Sequence, residues 1–418
     1  MSAELQRTFR TADASPRRYY PQQSADRALK ATARFWFMVA VAGQLLFALT
    51  VASFYGRTAA RGDLQSWNRF MLHGHVAGDA VGNFAVALHL MSAVIMILAG
   101  ALQFVPQVRN RFPEFHRWNG RIYILTALTL SIAGLYMHWV RGSFGDLSQR
   151  LGGTLNAVLI LVCAAMALRY AVARDFKTHR RWALRLFLVV SAAWFYRLAF
   201  FLSILLFQRP VGFDPNTFEG PFLTFMAFAS FLFPLAVVEL YFRAQDRTGA
   251  PRRFAMAAGL LFLTVTMGAG IFAVTAIVWL PSIKAAYDSR KSLAFTLSSS
   301  ITSDGLEQAV KQYRALKAAE HNIYNFDEAE LNRLGYQLFR ADKFKEAIRI
   351  FQLNAEAYPQ SSNTWDSLAE AYTGDGNKPK AIANYRKSLE LNPNNRNAVV
   401  ALQKLGALDV ASAVPEQR

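Results

Sequence analysis

The chain is poor in cysteine and short of acid. Cys163 is the single cysteine in 418 residues, so no intrachain disulfide can staple the fold, and its place inside an apolar run leaves the redox compartment unmarked. Asp and Glu number 28 against 46 Lys and Arg, a formal net charge of +18. That surplus is confined to one region. The first 319 residues hold 34 basic and 15 acidic groups, whereas the remainder holds 12 and 13. In a soluble protein such a surplus would suggest a nucleic-acid partner. Here the basic residues fall in short connections between apolar runs, where they govern membrane orientation, which argues against nucleic acid. Residues 1–30 are polar and lack the apolar core of a cleavable signal peptide, so the first apolar run is expected to serve as an uncleaved insertion signal. The chain also has no phosphate-binding loop, no paired catalytic carboxylates, no Ser/His/Asp order and no HExxH, which weighs against a soluble-type enzyme.

What the chain has is apolar length. Seven runs, at 35–55, 84–105, 122–140, 155–170, 184–207, 222–241 and 254–280, approach or exceed the roughly 20 residues that cross about 30 Å of hydrocarbon. Charge alternates in the connections. The N-terminal tail is basic, and Arg109, Arg111, Arg117 and Arg121 follow the second run. Arg169, Arg174, Lys177, Arg180, Arg181 and Arg185 follow the fourth, and Arg243, Arg247, Arg252 and Arg253 the sixth. The intervening connections carry little positive charge. Basic loops stay on the cytoplasmic side, so the N-terminus is expected inside and, after seven spans, the C-terminus outside. The first outer connection, 56–83, is the longest and contains Trp67, His73, His75 and Asp79.

Beyond the spans, 282–303 is rich in Ser and Thr and reads as a linker, with Asp304 placed to cap a helix running to 319. A 34-residue offset then governs the chain: Leu334, Gly335, Ala347, Phe351 and Pro359 recur as Leu368, Ala369, Ala381, Tyr385 and Pro393. A period of this length with small and bulky apolar residues at fixed places predicts helix–turn–helix units that bury their faces against each other. Helices are expected at 328–340, 343–357, 362–373, 378–390 and 396–405. Trp365, Leu368, Tyr372, Ala381, Tyr385 and Pro393 resemble the tetratricopeptide (TPR) pattern, with Leu331 and Leu338 standing in the earlier unit where Trp and Tyr are usual. That resemblance implies a groove for a protein or peptide partner. The expected architecture is therefore all-α: a basic cytoplasmic tail at 1–34, a seven-span transmembrane bundle at 35–281 with its core at 73–207, a linker at 282–303, and a TPR-like repeat domain at 304–418.

Polar residues within the spans are the candidate functional groups. His89 and His138 fall towards the outer face with His73 and His75, while His116 and His179 stand at the cytoplasmic entrances of the third and fifth spans. Two layers of imidazole on neighbouring helices suit bis-histidine ligation of haem b, and His73, His75 and Asp79 together suit a divalent metal at the outer face. The plainer alternative is that interfacial histidines hydrogen-bond lipid headgroups or loop carbonyls. Arg197 stands roughly 20 Å along its span at 1.5 Å per residue and calls for an anionic partner, such as Asp79, a haem propionate or a substrate carboxylate. Glu239 is at the opposite, inner end of its own span.

The inner-side string Gly100, Gln103, Phe104, Arg109, Pro113, His116, Arg117, Gly120, Arg121 and Tyr123, followed by His179, Arg180, Arg181, Trp182 and Arg185 and then Arg197, resembles a family of bacterial membrane proteins known as domain of unknown function 2306. The resemblance covers about 73–207, with Ala183 where that family often has Met, and implies an integral membrane protein, hence the bacterial inner (plasma) membrane, with no activity to carry over. Gln103, Arg109, His116, Arg117, Arg121, His179 and Arg185 form a cationic, donor-rich ring suited to an anionic headgroup, a phosphate or haem propionates. Positive-inside anchoring alone accounts for the number of arginines but not for the Gln, His and Pro among them. A transporter would show two similar halves with broken midplane helices. The reading that follows is a multi-pass scaffold, assembly or receptor-type protein in contact with the lipid bilayer, whose outer repeat domain binds a partner. The alternatives are a haem electron carrier and an outer-face metal binder.

Overall fold

The computed structural model describes residues 19–408 apart from 70, 72, 73, 77, 143, 144, 208–210, 215–217, 247, 248, 289, 320 and 321. The chain forms two compact units, Met1–Tyr287 and Asp288–Arg418. Both are helical, and the only strands among the described residues are a two-residue parallel pair, Lys291–Ser292 with Tyr324–Asn325.

In the first unit the long helices are α1 (Tyr19–Val51), α2 (Ala80–Gln103), α3 (Pro113–Trp139), α4 (Leu147–Val172), α5 (Phe176–Val190), α6 (Ala192–Phe207), α7 (Pro221–Asp246) and α8 (Ala250–Val274). Among the described residues six helical stretches are long and apolar enough to cross a membrane, and the bent pair α5–α6 makes a seventh when counted as one span. The outward faces confirm lipid as the solvent. Leu125, Ile132, Phe262 and Phe272 are 66 to 70% exposed, an apolar surface that water would not tolerate over a whole bundle. Packing runs α1 on α8, α2 on α3, α3 on α4 and α4 on α5, with small residues where backbones approach.

Three local irregularities depart from straight spans. The expected run 184–207 is broken: α5 and α6 meet at Ser191 with a 48° bend. There the Ser191 hydroxyl donates to the Phe187 carbonyl at 2.7 Å and accepts from Gln44 Nε2 at 2.9 Å. Back-bonding of a serine into the preceding turn bends a helix, and the cross-helix bond from α1 holds the bend. The others are π-helical turns at Ala52–Gly56, after α1, and Thr275–Trp279, after α8.

The boundary at residue 34 also moves, because α1 starts at Tyr19. Ala25 and Leu29 are buried, Leu29 packing with Ala244, Ala257 and Leu260, and Asp26 pairs with Arg253. Much of the expected tail is therefore helix that continues the first span.

The second unit comprises α9 (Leu293–Asp304), α10 (Leu306–Ala319), α11 (Glu328–Arg340), α12 (Phe344–Ala357), α13 (Ser362–Gly374), α14 (Lys378–Leu391) and α15 (Arg396–Lys404). The offset of 34 is exact at the element level: α13 and α14 repeat α11 and α12 in both length and spacing, and α15 begins one further period after α13. Even the left-handed loop residue recurs, as Asp342 (φ 57°) and Gly376 (φ 77°). Leu334, Leu368, Ala347, Phe351, Ala369, Tyr372, Ala381 and Tyr385 are buried in one continuous core. Pro359 and Pro393 are exposed instead, lying just beyond α12 and α14, where a residue that cannot continue a helix is tolerated. Trp365 is half-buried, its indole N–H donating to the Pro359 carbonyl at 2.9 Å, so it clasps the turn more than it fills the core.

The expected linker at 282–303 is the main revision. Residues 293–304 are α9, whose Leu293 and Leu297 are fully buried in the same core as the repeats. Asp304 ends this helix rather than capping the next, and Gly305 (φ 88°) makes the turn into α10. Ser and Thr count suggested a tether, but the apolar residues at 293, 294, 297 and 301 share one helical face.

Candidate functional site

At one end of the first unit, α2 runs into α3 and α4 into α5, and these two turns bring the inner string together. Asn119 Nδ2 donates to the Ala99 carbonyl at 2.9 Å and Gln103 Nε2 to the His116 carbonyl at 3.1 Å, tying α2 to the first turns of α3. Gly120 faces the Gln103 amide, where a Cβ would lie 3.5 Å away. Across the second turn Asp175 caps α5 by accepting from Thr178 N at 3.1 Å. A hydrogen bond from the Thr178 side chain, then this backbone bond and Lys177, hold the exposed Asp175 carboxyl below its ordinary value. His179 Nδ1 lies 2.8 Å from the Ala167 carbonyl. A carbonyl only accepts, so Nδ1 is the donor in this contact, and Nε2 is the nitrogen that bears the lone pair in the neutral tautomer. His116 Nδ1 is buried without a partner.

Between these elements lies a cleft of about 1660 Å³. Gln103, Arg109, His116, Arg117, Arg121 and His179, six of the seven residues expected in the inner ring, line it. Lys30 and Arg34 of α1, Arg174 of the α4–α5 turn and Arg180 of α5 join them, and among the described residues no Asp or Glu contributes to the lining. Lys30 and Arg34 escaped the sequence reading because residues up to 34 read as tail. Away from the cations the wall is apolar, with Phe195, Leu198, Leu202, Phe233, Val237, Leu263 and Met267 from α6, α7 and α8. Arg117 has only an exposed contact to Glu114 at 3.8 Å, and Arg121 lies over the Trp118 ring at 4.6 Å. A cation-lined mouth on an apolar body matches an amphiphile with a negatively charged head.

Arg185 does not belong to this ring. Its Nε donates to Glu239 Oε1 at 2.6 Å, with the guanidinium between the Trp182 and Phe242 rings. The carboxylate set aside in the sequence is thus its partner.

The histidine layer expected at the outer face is arranged differently. His89 packs beside Gly134 of α3, where a Cβ would stand 3.7 Å from its Cε1, and His138 occupies the notch at Gly153 of α4, where a Cβ would stand 2.6 Å from its Nε2. Neither lines the cleft. Asp79 caps α2 through Gly82 N at 2.8 Å and pairs with Arg141 at 3.6 Å, so it is not the counter-ion of Arg197. His75 is fixed through its backbone by Asn68. His73 lies outside the described residues. Among the described residues no three metal-ligating side chains come together, and the Asp79 carboxylate is already committed to helix cap and arginine.

Residues 86–241 match the profile of a family described as "Predicted membrane protein (DUF2306)". The match therefore takes in most of α7 as well as 86–207 of the expected core, and begins after His73, His75 and Asp79. No curated protein and no solved structure matches the chain.

Proposed function

We propose that the first unit is a receptor-type membrane module that holds an anionic lipid in the cleft, headgroup among Arg109, Arg117, Arg121, Lys30 and Arg34, and acyl chains along α6, α7 and α8. The observation that carries this reading is the charge sorting of the cleft lining: seven basic side chains, no carboxylate, and an otherwise apolar wall. Guanidinium groups suit bidentate contact with phosphate oxygens, and several of them beside a bilayer recruit anionic lipid. The loop charges support an inner-membrane protein with this mouth on the cytoplasmic side and, after seven spans, the repeat unit outside. The TPR-like spacing supports protein or peptide recruitment by that unit. Native mass spectrometry of protein reconstituted in vesicles with equal phosphatidylglycerol and phosphatidylcholine is the test. Retained phosphatidylglycerol that falls in an Arg109→Gln, Arg117→Gln, Arg121→Gln variant supports the reading, whereas equal retention of both lipids overturns it. A reporter active only outside the cytoplasm, fused after Arg418, tests the topology.

A second reading is favoured by one observation. His116 and His179 line the same cleft, and the Ala167 carbonyl holds His179 through Nδ1, a contact that orients an imidazole so that Nε2 can bind a metal. A b-type haem bound there would carry electrons and place its propionates among the arginines. A Soret band in the purified protein that weakens on His179→Ala supports it. A colourless preparation from haem-replete cells, with no iron, removes it.

A further inference from the structure

Among the described residues no carboxylate pairs with Arg197, a charge within the bent pair of spanning helices. It stands ten residues before the end of α6, hence about 15 Å below that helix end at 1.5 Å per residue. Its Nη1 donates to the Ala193 carbonyl at 2.8 Å, and its guanidinium lies 5.2 Å from the centroid of the Phe47 ring. Tyr55, Tyr196 and His89 are within electrostatic reach, and none of these is an anion at neutral pH. The nearest expected acid, Asp79, is held by Arg141. A guanidinium does not give up its proton, and intramembrane arginines are as a rule paired or face a cavity. His89 stands nine residues into α2, about 14 Å from its outer end, so the two groups share a depth. Among the described residues its Nδ1 is sealed from solvent with no partner, while the ring is held by a hydrogen bond to the Leu130 backbone.

The backbone around this point is irregular on three sides. Tyr55 belongs to the π turn after α1. The Ser191 bend lies six residues before Arg197. Phe47, which carries the guanidinium on one face, stacks at 5.6 Å on Trp279 of the π turn after α8. π turns inside helices gather at functional sites, and here two of them and a kink lie in the elements that carry Tyr55, Trp279 and Arg197.

We infer that Arg197, with Tyr55, Tyr196 and His89, forms a binding site for a small carboxylate entering from the outer half of the membrane unit, separate from the inner cleft. The guanidinium supplies the charge and a two-donor fork that fits a carboxylate, the tyrosine hydroxyls supply further donors, and Phe47 with Trp279 makes an apolar wall for the organic part.

The test uses the full-length protein in lipid nanodiscs, following tryptophan fluorescence and thermal unfolding during titration with benzoate, acetate or inorganic phosphate at ionic strength held constant with chloride. Saturable binding of benzoate or acetate, weakened at least tenfold in Arg197→Gln and partly restored in Arg197→Lys, is the expected result. Should Arg197→Gln fail to fold, Tyr55→Phe and His89→Gln serve instead, each expected to weaken binding several-fold. Preference for phosphate over both carboxylates would overturn the ligand class. Absence of saturable binding, or equal binding by wild type and the variants, would overturn the site and leave Arg197 as a helix-packing cation. Neither result bears on lipid retention in the inner cleft.

Discussion

Leu297 discriminates between a tether and a folded element. If 282–303 were a flexible linker, shortening this side chain would leave stability unchanged. In the structure Leu297 is fully buried and Leu293 beside it likewise, and their helix α9 packs on α10 and α11. Polar contacts pin the same end: Glu330 accepts from Ser292 Oγ at 2.6 Å and from Ala294 N at 3.0 Å. Leu→Ala at a fully buried site costs about 2–5 kcal/mol, from lost transfer energy and the residual cavity. For a unit of this size that corresponds to a fall of roughly 8–20 °C in melting temperature, a large share of the 5–15 kcal/mol typical of a domain. Phe295, two residues away, is 46% exposed and provides the control, since surface substitutions stay within about 0.5 kcal/mol. The assay is thermal unfolding by circular dichroism of fragment 288–418 carrying Leu297→Ala or Phe295→Ala. If both melt with the wild-type fragment, α9 is not part of the fold and the revised boundary is wrong.

Three further outcomes follow from the repeat unit. Gly335→Ala places a methyl 2.5 Å from Cε1 of the fully buried Phe351. Overpacking of about 1–3 kcal/mol outweighs the roughly 1 kcal/mol gained in helix propensity, so the melt is expected to fall, and Phe351→Leu is expected to recover part of the loss in the double variant. Glu370 accepts from Tyr336 at 2.6 Å, yet burial, reinforced by neighbouring Asp366, raises its carboxyl above the ordinary value. The folded state then holds a proton that the unfolded chain has released, so this group's contribution to stability declines as pH rises from about 4.3, the unfolded value, through the raised one. Glu370→Gln is expected to match wild type near pH 4 and exceed it in stability at pH 7, and a constant difference across that range would refute the assignment. Trp365→Ala, at a half-buried clasp, is expected to cost less than Leu297→Ala in the same melt.

Legibility of the fold followed the kind of signal each part carries. Spans and repeats are periodic over many residues, so 34-residue spacing and apolar length survive individual exceptions. Boundaries and breaks depend on single contacts. The Ser191 bend needs Gln44, 147 residues earlier, and α9 needs a core made by residues 309 to 402. Neither partner is visible from the local string, and the Ser/Thr content around 300 pointed the other way. The prolines misled for a related reason: recurrence at a fixed offset reports that a position matters, but not whether it packs or terminates.

The candidate site shows the same limit in charge. Arginine count cannot tell an orienting loop from a binding surface, because both place guanidinium groups at one membrane face. What separates them is where the carboxylates are. Arg181, Arg185 and Arg253 each pair with an acid, Asp246, Glu239 and Asp26, and none of the three lines the cleft. Arg109, Arg121, Arg174 and Arg180 do line it and make no ion pair among the described residues. Acids in this unit are scarce: Asp246, Glu239 and Asp26 are spent on arginines outside the cleft, Asp175 on a helix cap, and only the exposed Glu114 reaches a lining arginine, Arg117. Orientation during insertion needs only the number of positive loops. It would be served equally well if Glu239 or Asp246 faced the cleft, and that distribution of a few acids is the part of the arrangement that topology does not require.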